Sequence, residues 1–489
     1  MHTLRPAMAA AAGLARAAMA MPRGRIRALP LARELFTAAD TDWMPPREEA
    51  DAMKARLSAA KKAAAMPPEL QGATPRPVTS ACVVGSGTMG AGIAMCFAEA
   101  RIPVTLHDSD RVALDRALAR MRKTRESAAK RERISAQDVA DFTELVSSET
   151  HLDNTHMRAT DLVVEAVFED MAVKKQVFAS LDPVCKESAT LATNTSTLNI
   201  DEIFSDVRRK DMCVGMHFFS PANVMPLLEN IKGAHSSQVT LATAMDVGAK
   251  LGKTTVLAGN CFGFIGNRMF EVYTREALFL LEEGAMPHEV DAALEAWGMA
   301  MGPLAVGDLA GLDIGYSIRK AQGLTDVATR ASDHGRYGGT IADKLVRAGR
   351  KGQKTQAGFY DYSRGRSPVR DPEVEKMICD ASLELGITRR KISAQEIVER
   401  CVLGLVNEGY KAVGMLCVCA SGTCEGTGQT PTRRAVCVCA SVPCRQGSMC
   451  VCVCSCVACE GVRPRPSAEL SLFPLLAGRC WYCWVPGRR

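Results

Sequence analysis

Short apolar runs alternate with longer amphipathic stretches through the middle of the chain. Runs of five or six mostly apolar residues predict buried strands, at 80–84, 103–107, 161–165, 190–194, 212–217 and 254–258. Helices are predicted between several of them, at 91–100, 170–181 and 239–251. Strands that alternate with helices in this way predict an α/β fold with a doubly wound parallel sheet.

The first predicted strand runs into a glycine-rich turn, Gly-Ser-Gly-Thr-Met-Gly, which opens a helix. Such glycines permit the tight turn, let the backbone approach a pyrophosphate and allow close packing of helix on strand. The next strand ends in an aspartate eighteen residues past the turn, where a carboxylate binds ribose hydroxyls and repels a 2′-phosphate. The pattern predicts a site for NAD rather than NADP, formed by Gly85, Gly87, Thr88, Met89, Gly90 and Asp108.

Polar residues also follow two later strands, and ligands of such sheets bind beyond the carboxyl ends of the strands. Strand 190–194 continues into Thr-Ser-Thr, whose hydroxyls can hold a substrate oxygen or cap the following turn. Strand 212–217 ends in His217, and Glu229 follows twelve residues later. The two are candidates for a general base and its orienting carboxylate, and the alternative is a packed histidine at a strand end. The segment 259–268 leads into a long helix, near whose start Asn267 can direct its amide toward the same site.

Charge is distributed unevenly along the chain. The net charge is +6, yet residues 1–33 hold six Arg and no acid, and residues 417–489 hold eight Arg and three Glu. The stretch 34–416 is therefore mildly acidic, which does not favour nucleic-acid binding. No run of 18 apolar residues occurs, so no membrane span is expected.

The first 79 residues are expected to precede the catalytic part. The Ala- and Arg-rich composition of 1–33 is typical of a mitochondrial or plastid presequence, and the alternative is a chance extension or a wrongly chosen start. A short Ala/Lys helix is predicted at 50–65, and a Pro-rich linker at 67–77.

Thirteen of the 20 cysteines lie at or after Cys417. The tail repeats Cys-Val-Cys-Ala-Ser and could bind soft metals, but it has no paired Cys-x-x-Cys motifs separated by a finger-length loop. We interpret 417–489 as translated non-coding sequence or the product of a faulty gene model, and predict no metal site. The other seven cysteines are scattered singly and are expected to be reduced, small apolar residues.

Several of these motifs, in their order along the chain, resemble the L-3-hydroxyacyl-CoA dehydrogenase family, and in particular the dehydrogenase portion of its multifunctional members. The resemblance extends from about residue 80 to 413 and includes the motifs at 85–90, 194–198, 217–221, 263–268, 301–303, 308–313, 353–355 and 358–360. It implies the catalytic set Ser196, His217, Glu229 and Asn267. It also implies cofactor contacts from Glu169, Lys174, Ser196, Ser220 and Lys354. Ser220 replaces an Asn of the monofunctional branch.

The resemblance also implies a domain organisation. An NAD-binding Rossmann-like domain is expected at 80–258 and an all-α dehydrogenase domain at 259–365, followed by a partial second helical repeat at 366–416. The trace of this repeat is an Arg–Glu pair eight residues apart, found at 268/276 and again at 400/408. Multifunctional relatives carry a hydratase domain before the dehydrogenase, whereas about eighty residues precede it here.

The function implied by the resemblance is NAD-dependent oxidation of an L-3-hydroxyacyl-CoA to the 3-oxoacyl-CoA in fatty acid β-oxidation. Two alternatives stay open: a catalytically silent NAD-binding or structural protein, and another two-domain NAD-dependent hydroxy-acid dehydrogenase. The expected partner is an acyl-CoA, and the helical domain is a candidate homodimer interface. Mitochondrion and peroxisome are the expected compartments, although the chain ends in Pro-Gly-Arg-Arg, without a peroxisomal Ser-Lys-Leu signal.

Overall fold

The computed structural model describes residues 67–131, 133–152, 154–325, 336–415, 438–442 and 449–453. The presequence-like segment 1–33, the short helix predicted at 50–65 and most of the Cys-rich tail lie outside these residues. The chain divides into two units after Gly409, and each is described by itself.

The described residues of the first unit form one sheet of eight strands. In chain order these are β1 (Ala81–Val84), β2 (Val104–His107), β3 (Val146–Glu149), β4 (Leu162–Glu165), β5 (Thr190–Thr193), β6 (Cys213–Phe218), β7 (Leu227–Lys232) and β8 (Thr254–Gly259). Their order across the sheet is β3-β2-β1-β4-β5-β6-β7-β8. Strands β1 to β6 are all parallel, with the reversal of order beside β1 that defines a doubly wound sheet.

Helices cover both faces of this sheet. They are α1 (Thr88–Glu99), α2 (Arg111–Ala129), α3 (Ala136–Leu145), α4 (Asn154–Ala159), α5 (Met171–Leu181), α6 (Ile200–Ile203) and α7 (Gln238–Lys250). Because side chains alternate across a strand, Val83 of β1 packs in a cluster with α1 and α7, and its neighbour Val84 packs in a cluster with α5 and α6. Burial on both faces explains why the central strands read as continuous apolar runs.

The sequence pattern did not predict strands β3 and β7. β3 is an edge strand whose four residues are all partly or fully exposed, so it lacks an apolar signal. The polar residues Glu229 and Asn230 interrupt the apolar pattern of β7, although both are buried. β7 runs antiparallel to β6 because the residues 219–226 that join them are too few for a crossover to a parallel strand. The sheet is thus mixed at this edge, rather than parallel throughout.

The residues after β8 form a helical domain. Its helices are α8 (Gly266–Glu283), α9 (Pro287–Trp297), α10 (Pro303–Ala310), α11 (Leu312–Ala321), α12 (Thr340–Arg347), α13 (Pro372–Glu384) and α14 (Ala394–Met415). Buried residues of α8, among them Tyr273 and Leu280, form one core with Trp297 of α9, Ile378 of α13 and Val402 of α14. A Rossmann-like sheet followed by a helical domain is the architecture that the sequence predicted.

Helices α8 and α14 exchange ion pairs. Arg268 of α8 lies 2.6 Å from Glu408 of α14, and Arg400 of α14 lies 3.1 Å from Glu276 of α8. Each helix therefore contributes one arginine and, eight residues later, one glutamate, which fits two antiparallel helices related by a local two-fold axis. The bounds of the predicted second repeat, 366–416, stay a prediction.

The remaining described residues add three observations. Within the second unit, β9 (Val438–Val442) and β10 (Met449–Val453) pair as antiparallel strands. No helix in the described part of the chain is long and apolar enough to cross a membrane. Of the seven scattered cysteines, five are buried, whereas Cys261 is partly exposed and Cys379 is exposed.

Candidate active site

The glycine-rich turn between β1 and α1 has the backbone geometry that the sequence predicted. Gly85 has a φ of +105°, and a Cβ there would lie 2.6 Å from the Ala166 carbonyl oxygen. A Cβ on Gly90 would overlap the carbonyl oxygen of Gly85. Gly87, by contrast, faces open space, since a Cβ there would have no described atom within 4 Å. It is the N-cap residue of α1 and has no side chain that could bind the amides of the first turn. The first-turn amides of α1, at Thr88, Met89 and Gly90, are therefore open to an anion.

Asp108 follows β2 and is fixed beside this turn. Its Oδ2 accepts hydrogen bonds from the amide of Ser86 at 2.8 Å and from the Ser86 hydroxyl at 2.7 Å, and its Oδ1 accepts the Asp110 amide at 3.0 Å. Burial acts to raise the pKa of Asp108, but these hydrogen bonds outweigh burial and lower it. The glycine turn thus carries an ionised carboxylate at the position expected of a ribose ligand.

Glu169, after β4, holds the loop that follows β5. Its Oε1 accepts hydrogen bonds from the Thr195 hydroxyl at 2.7 Å, from the Ser196 amide at 2.7 Å and from the Ser196 hydroxyl at 2.9 Å. The Thr197 amide lies at 3.3 Å from the same oxygen. Burial acts to raise the pKa of Glu169, but the charge of Lys174 and the hydrogen bonds from Ser196 and Thr195 outweigh it and lower the pKa. Two predicted site residues, Glu169 and Ser196, are therefore in direct contact.

Lys174, on α5, lies behind Glu169. Only 1% of its surface is exposed, and its Nζ is 2.7 Å from Glu165 Oε1 and 3.3 Å from Glu169 Oε2. Glu165 is fully buried and also accepts hydrogen bonds from the Thr193 hydroxyl at 2.7 Å and the Val167 amide at 2.8 Å. The side chain of Lys174 is thus committed to two carboxylates.

His217 and Glu229 are directly opposite each other in the antiparallel β6–β7 pair. His217 Nδ1 lies 2.7 Å from Glu229 Oε2, and the two residues are 4% and 1% exposed. The His217 ring packs against Phe219 and Phe264, with centroid distances of 4.4 Å and 5.6 Å. Because an ionised carboxylate can only accept, Nδ1 of His217 is the donor of this hydrogen bond, and in the neutral ring Nε2 therefore carries the lone pair.

The second oxygen of Glu229 binds the start of α8. Oε1 accepts the Ile265 amide at 3.0 Å and the Gly266 amide at 2.8 Å, so the carboxylate occupies the anion-binding end of the helix. Asn267 is the next residue of α8, half-buried in its first turn. Two of the four predicted catalytic residues, His217 and Glu229, are therefore in direct contact, and Asn267 directly follows an amide that binds Glu229.

The remaining two predicted residues lie apart from these contacts. Ser220 is exposed, two residues beyond β6. Lys354 lies in a short 3₁₀ turn of the helical domain, with its Nζ 2.5 Å from Asp313 Oδ1. Within the described residues, neither has a hydrogen bond to the other predicted site residues.

Sequence reasoning missed two residues that organise the site. Glu165 is the last residue of β4, and a charged residue ending an apolar run was the available signal. Asn194 accepts the Phe218 amide at 2.9 Å and so ties the end of β5 to β6 beside His217. Its position directly after a buried strand was the signal for this role.

Two family models match the chain. The NAD binding domain of 3-hydroxyacyl-CoA dehydrogenase matches residues 80–261, and the C-terminal domain of the same enzyme matches residues 263–362. These matches confirm the resemblance, the order of the two domains and NAD as the cofactor.

Individual relatives agree with the family models. Human peroxisomal bifunctional enzyme is 45% identical over 349 residues, which are 70% of this chain and 48% of that protein. The peroxisomal fatty acid beta-oxidation multifunctional protein MFP2 of Arabidopsis thaliana is 34% identical over 345 residues, 70% of this chain and 46% of that protein. The chain thus spans about half the length of the curated relatives it matches. Among solved structures, the dehydrogenase part of multifunctional enzyme 1 from C. elegans is 30% identical with a TM-score of 0.53, over 71% of this chain and 76% of that one.

Proposed function

The chain belongs to the 3-hydroxyacyl-CoA dehydrogenase family, and from this premise we propose that it oxidises an L-3-hydroxyacyl-CoA to the 3-oxoacyl-CoA with NAD. The observation that carries the proposal is the buried His217–Glu229 pair at 2.7 Å, at the same end of the sheet as the glycine turn. A base with a fixed carboxylate beside a dinucleotide site is what alcohol oxidation requires.

The residues present fit NAD. The open amides of α1 suit a pyrophosphate, the space above Gly87 admits it, and the Asp108 carboxylate suits an unphosphorylated ribose. When bound, NAD accepts the hydride that leaves C3 of the substrate. The side chains of the protein itself position the substrate and take up its proton.

The hydroxyl proton goes to His217. As the C3–H bond breaks and its electron pair leaves with the hydride, the O–H bond breaks and its electron pair forms the carbonyl. Nε2 of His217 takes the proton, because Nδ1 is held as the donor to Glu229. The ring becomes a cation, which the Glu229 carboxylate, itself held by two amides of α8, stabilises without reorganisation.

Ser196 and Asn267 are proposed to hold the substrate oxygens. The one hydroxyl proton of Ser196 is donated to Glu169 in the structure. To hold the substrate oxygen, Ser196 must turn this proton from Glu169 to that oxygen, because the substrate's own hydroxyl proton goes to His217. Asn267 lies in the first turn of α8, one residue beyond the amide that binds Glu229. Its amide can donate to the oxygen that becomes a carbonyl.

The test is reduction of acetoacetyl-CoA by NADH, followed through the loss of NADH. We expect NADH to be consumed in proportion to both enzyme and substrate. Protein that binds NADH without consuming it would be a silent NAD-binding protein, and the proposed reaction would be refuted.

The relatives' names also support a compartment. Several are peroxisomal or glyoxysomal proteins by name, and those of Arabidopsis thaliana and Brassica napus are also named for fatty acid beta-oxidation. We propose the peroxisome as the compartment and fatty acid β-oxidation as the process. An acyl-CoA is the proposed partner. A homodimer through the helical domain stays a prediction, which analytical ultracentrifugation of the full chain would test.

A further inference from the structure

Lys253, in the turn between α7 and β8, is a half-buried cation whose partners are backbone carbonyls. Its Nζ donates to the carbonyl oxygen of Ala222 at 2.6 Å and to that of Met225 at 3.0 Å. Within the described chain, no carboxylate lies within 4 Å of this ammonium group. Glu99, whose charge also acts on Lys253, is paired with Arg125 at 2.7 Å. Because a cation is costly to bury, its commitment to two carbonyls of one segment needs an explanation.

Both carbonyls belong to residues 219–226, which connect β6 to β7. The amides of residues 224 and 225 bind the Pro221 carbonyl oxygen at 2.9 Å, so the connection contains one tight turn at 221–225. The Thr254 amide, 2.7 Å from the Pro226 carbonyl oxygen, holds the end of the connection. The side chain of Lys253 ties the middle of the turn to the start of β8.

The same turn packs against α1, the helix that follows the glycine-rich turn. The Cys96 thiol lies 3.4 Å from the Ala222 carbonyl oxygen, and a Cβ on Gly92 would lie 3.1 Å from the Cβ of Ala222. Ala222 is only 1% exposed. Lys253 therefore holds the turn at a place where little room is left for it to shift toward α1.

The connection begins with Phe219, which touches the proposed base. The Phe219 ring centroid lies 4.4 Å from that of His217, and a Cβ on Gly266 would lie 2.7 Å from Phe219 Cζ. The hydrogen bond to Glu229 fixes one atom of the imidazole, Nδ1. The second side-chain torsion of a histidine has only broad preferences, so packing against Phe219 helps to set the plane of the ring and the direction of Nε2.

We propose that Lys253 is a positioning residue for His217. By fixing the 221–225 turn, it keeps Phe219 against the imidazole and so directs Nε2 toward the substrate hydroxyl. Among the described residues, no hydrogen bond joins Lys253 to a predicted site residue, so it acts through the turn alone. The inference rests on the proposed function, because the direction of Nε2 matters only if His217 takes the substrate proton.

Lys253→Met keeps the apolar stem of the side chain and removes the ammonium group. We expect kcat for acetoacetyl-CoA and NADH to fall by about 10- to 100-fold, because a small misplacement of a reacting group is costly. The KM and the affinity for NADH should stay close to those of the wild-type protein. Lys250→Met is the matched control, since Lys250 lies three residues earlier and pairs on the surface with Asp246 at 2.8 Å. We expect this control to keep its kcat.

A double-mutant cycle tests whether Lys253 acts through Phe219. Phe219→Leu removes the ring that packs on His217, so adding Lys253→Met to it should lower kcat little further. Two losses that multiply would overturn the proposal, as would a kcat of Lys253→Met equal to that of Lys250→Met. The melting temperature is taken on the same preparations, and if Lys253→Met does not fold, Lys253→Gln, which keeps one donor group, takes its place in the cycle.

An NMR measurement on the full chain requires no turnover. The ring signals of His217, in protein with ¹³C-labelled histidine, are assigned by their loss in His217→Gln. We expect them to shift in Lys253→Met and to stay unchanged in Lys250→Met, and unchanged signals in both would overturn the proposal. A role in stability alone would lower the melting temperature of Lys253→Met and leave these signals in place. Wild-type protein that consumes no NADH would refute the proposed reaction, and the NMR signals would still decide whether Lys253 positions His217.

Discussion

Glu229→Gln is the substitution whose outcome the structure determines most closely. Glu229 Oε1 accepts two amides of α8, so the Gln oxygen must stay on that side, since an NH2 group there would face two donors. The NH2 group must then face His217 Nδ1, where an oxygen now lies at 2.7 Å. Nδ1 becomes an acceptor, the ring proton moves to Nε2, and the lone pair that takes the substrate proton is lost.

We expect Glu229→Gln to lose most of its turnover, little folding stability and no affinity for NADH. Removal of general-base catalysis lowers kcat by about 10²–10⁴-fold. Loss of a negative charge at the start of α8 costs about 1 kcal/mol of folding stability, because every hydrogen bond of Glu229 is replaced. The affinity for NADH should not change, because neither oxygen of Glu229 is free for the cofactor.

The assay combines steady-state turnover of acetoacetyl-CoA, NADH titration and melting temperature on one preparation. Glu282→Gln is the control, since Glu282 is also 1% exposed and ion-paired, to Arg336 in the helical domain. We expect the control to retain turnover. Near-normal turnover of Glu229→Gln would refute the mechanism, as would a loss of activity that only follows a loss of stability.

Three further predictions concern the cofactor and the fold. The kcat/KM of the wild-type protein should be about 10²-fold or more higher with NAD than with NADP, because a 2′-phosphate would face Asp108. Asp108→Asn should reduce this ratio. Equal kcat/KM of the wild-type protein with both cofactors would contradict the prediction. Gly87→Ala should weaken NADH binding and leave the melting temperature unchanged. Gly90→Ala should lower the melting temperature, because the new Cβ would overlap the Gly85 carbonyl oxygen. Equal melting temperatures of the two variants would contradict this prediction. Burial raises the pKa of Asp291 to about 7, above its unfolded value of 3.8, so the stability it contributes is present below pH 3.8 and is lost as pH rises toward 7. Chemical denaturation across this range should show a loss of about 1.4 kcal/mol per pH unit that is absent in Asp291→Asn; parallel curves contradict it.

The sequence was most informative where a residue type has one physical use. The steric roles of the glycines at 85 and 90 could be predicted, because only a residue without a side chain fits against Ala166 and the Gly85 carbonyl. The parallel strands were found because burial on both faces leaves a continuous apolar run. The spacing of Asp108 after the turn predicted its place beside the turn, where the structure holds it through Ser86; its role as a ribose ligand stays a prediction.

The geometry of the proposed base was only half visible in the sequence. His217 and Glu229 were paired as a strand-end histidine and an acid twelve residues later, but their contact depends on the antiparallel register of β6 and β7, and β7 itself was not predicted. The polar residues of β7 interrupt the apolar pattern that predicts a buried strand. They are buried because they bind partners from distant segments, such as the α8 amide that donates to Glu229. The Glu165–Lys174–Glu169 contacts were hidden for the same reason, because periodicity does not reveal which buried charges meet.

Oxidation of L-3-hydroxybutyryl-CoA by NAD, with NADH and the 3-oxoacyl-CoA both quantified, tests the proposed reaction most directly. We expect the two products to form in equal amounts, the D enantiomer to give neither, and His217→Gln to abolish both while NADH still binds. Protein that binds NADH but forms no 3-oxoacyl-CoA from the L enantiomer would refute the proposed reaction.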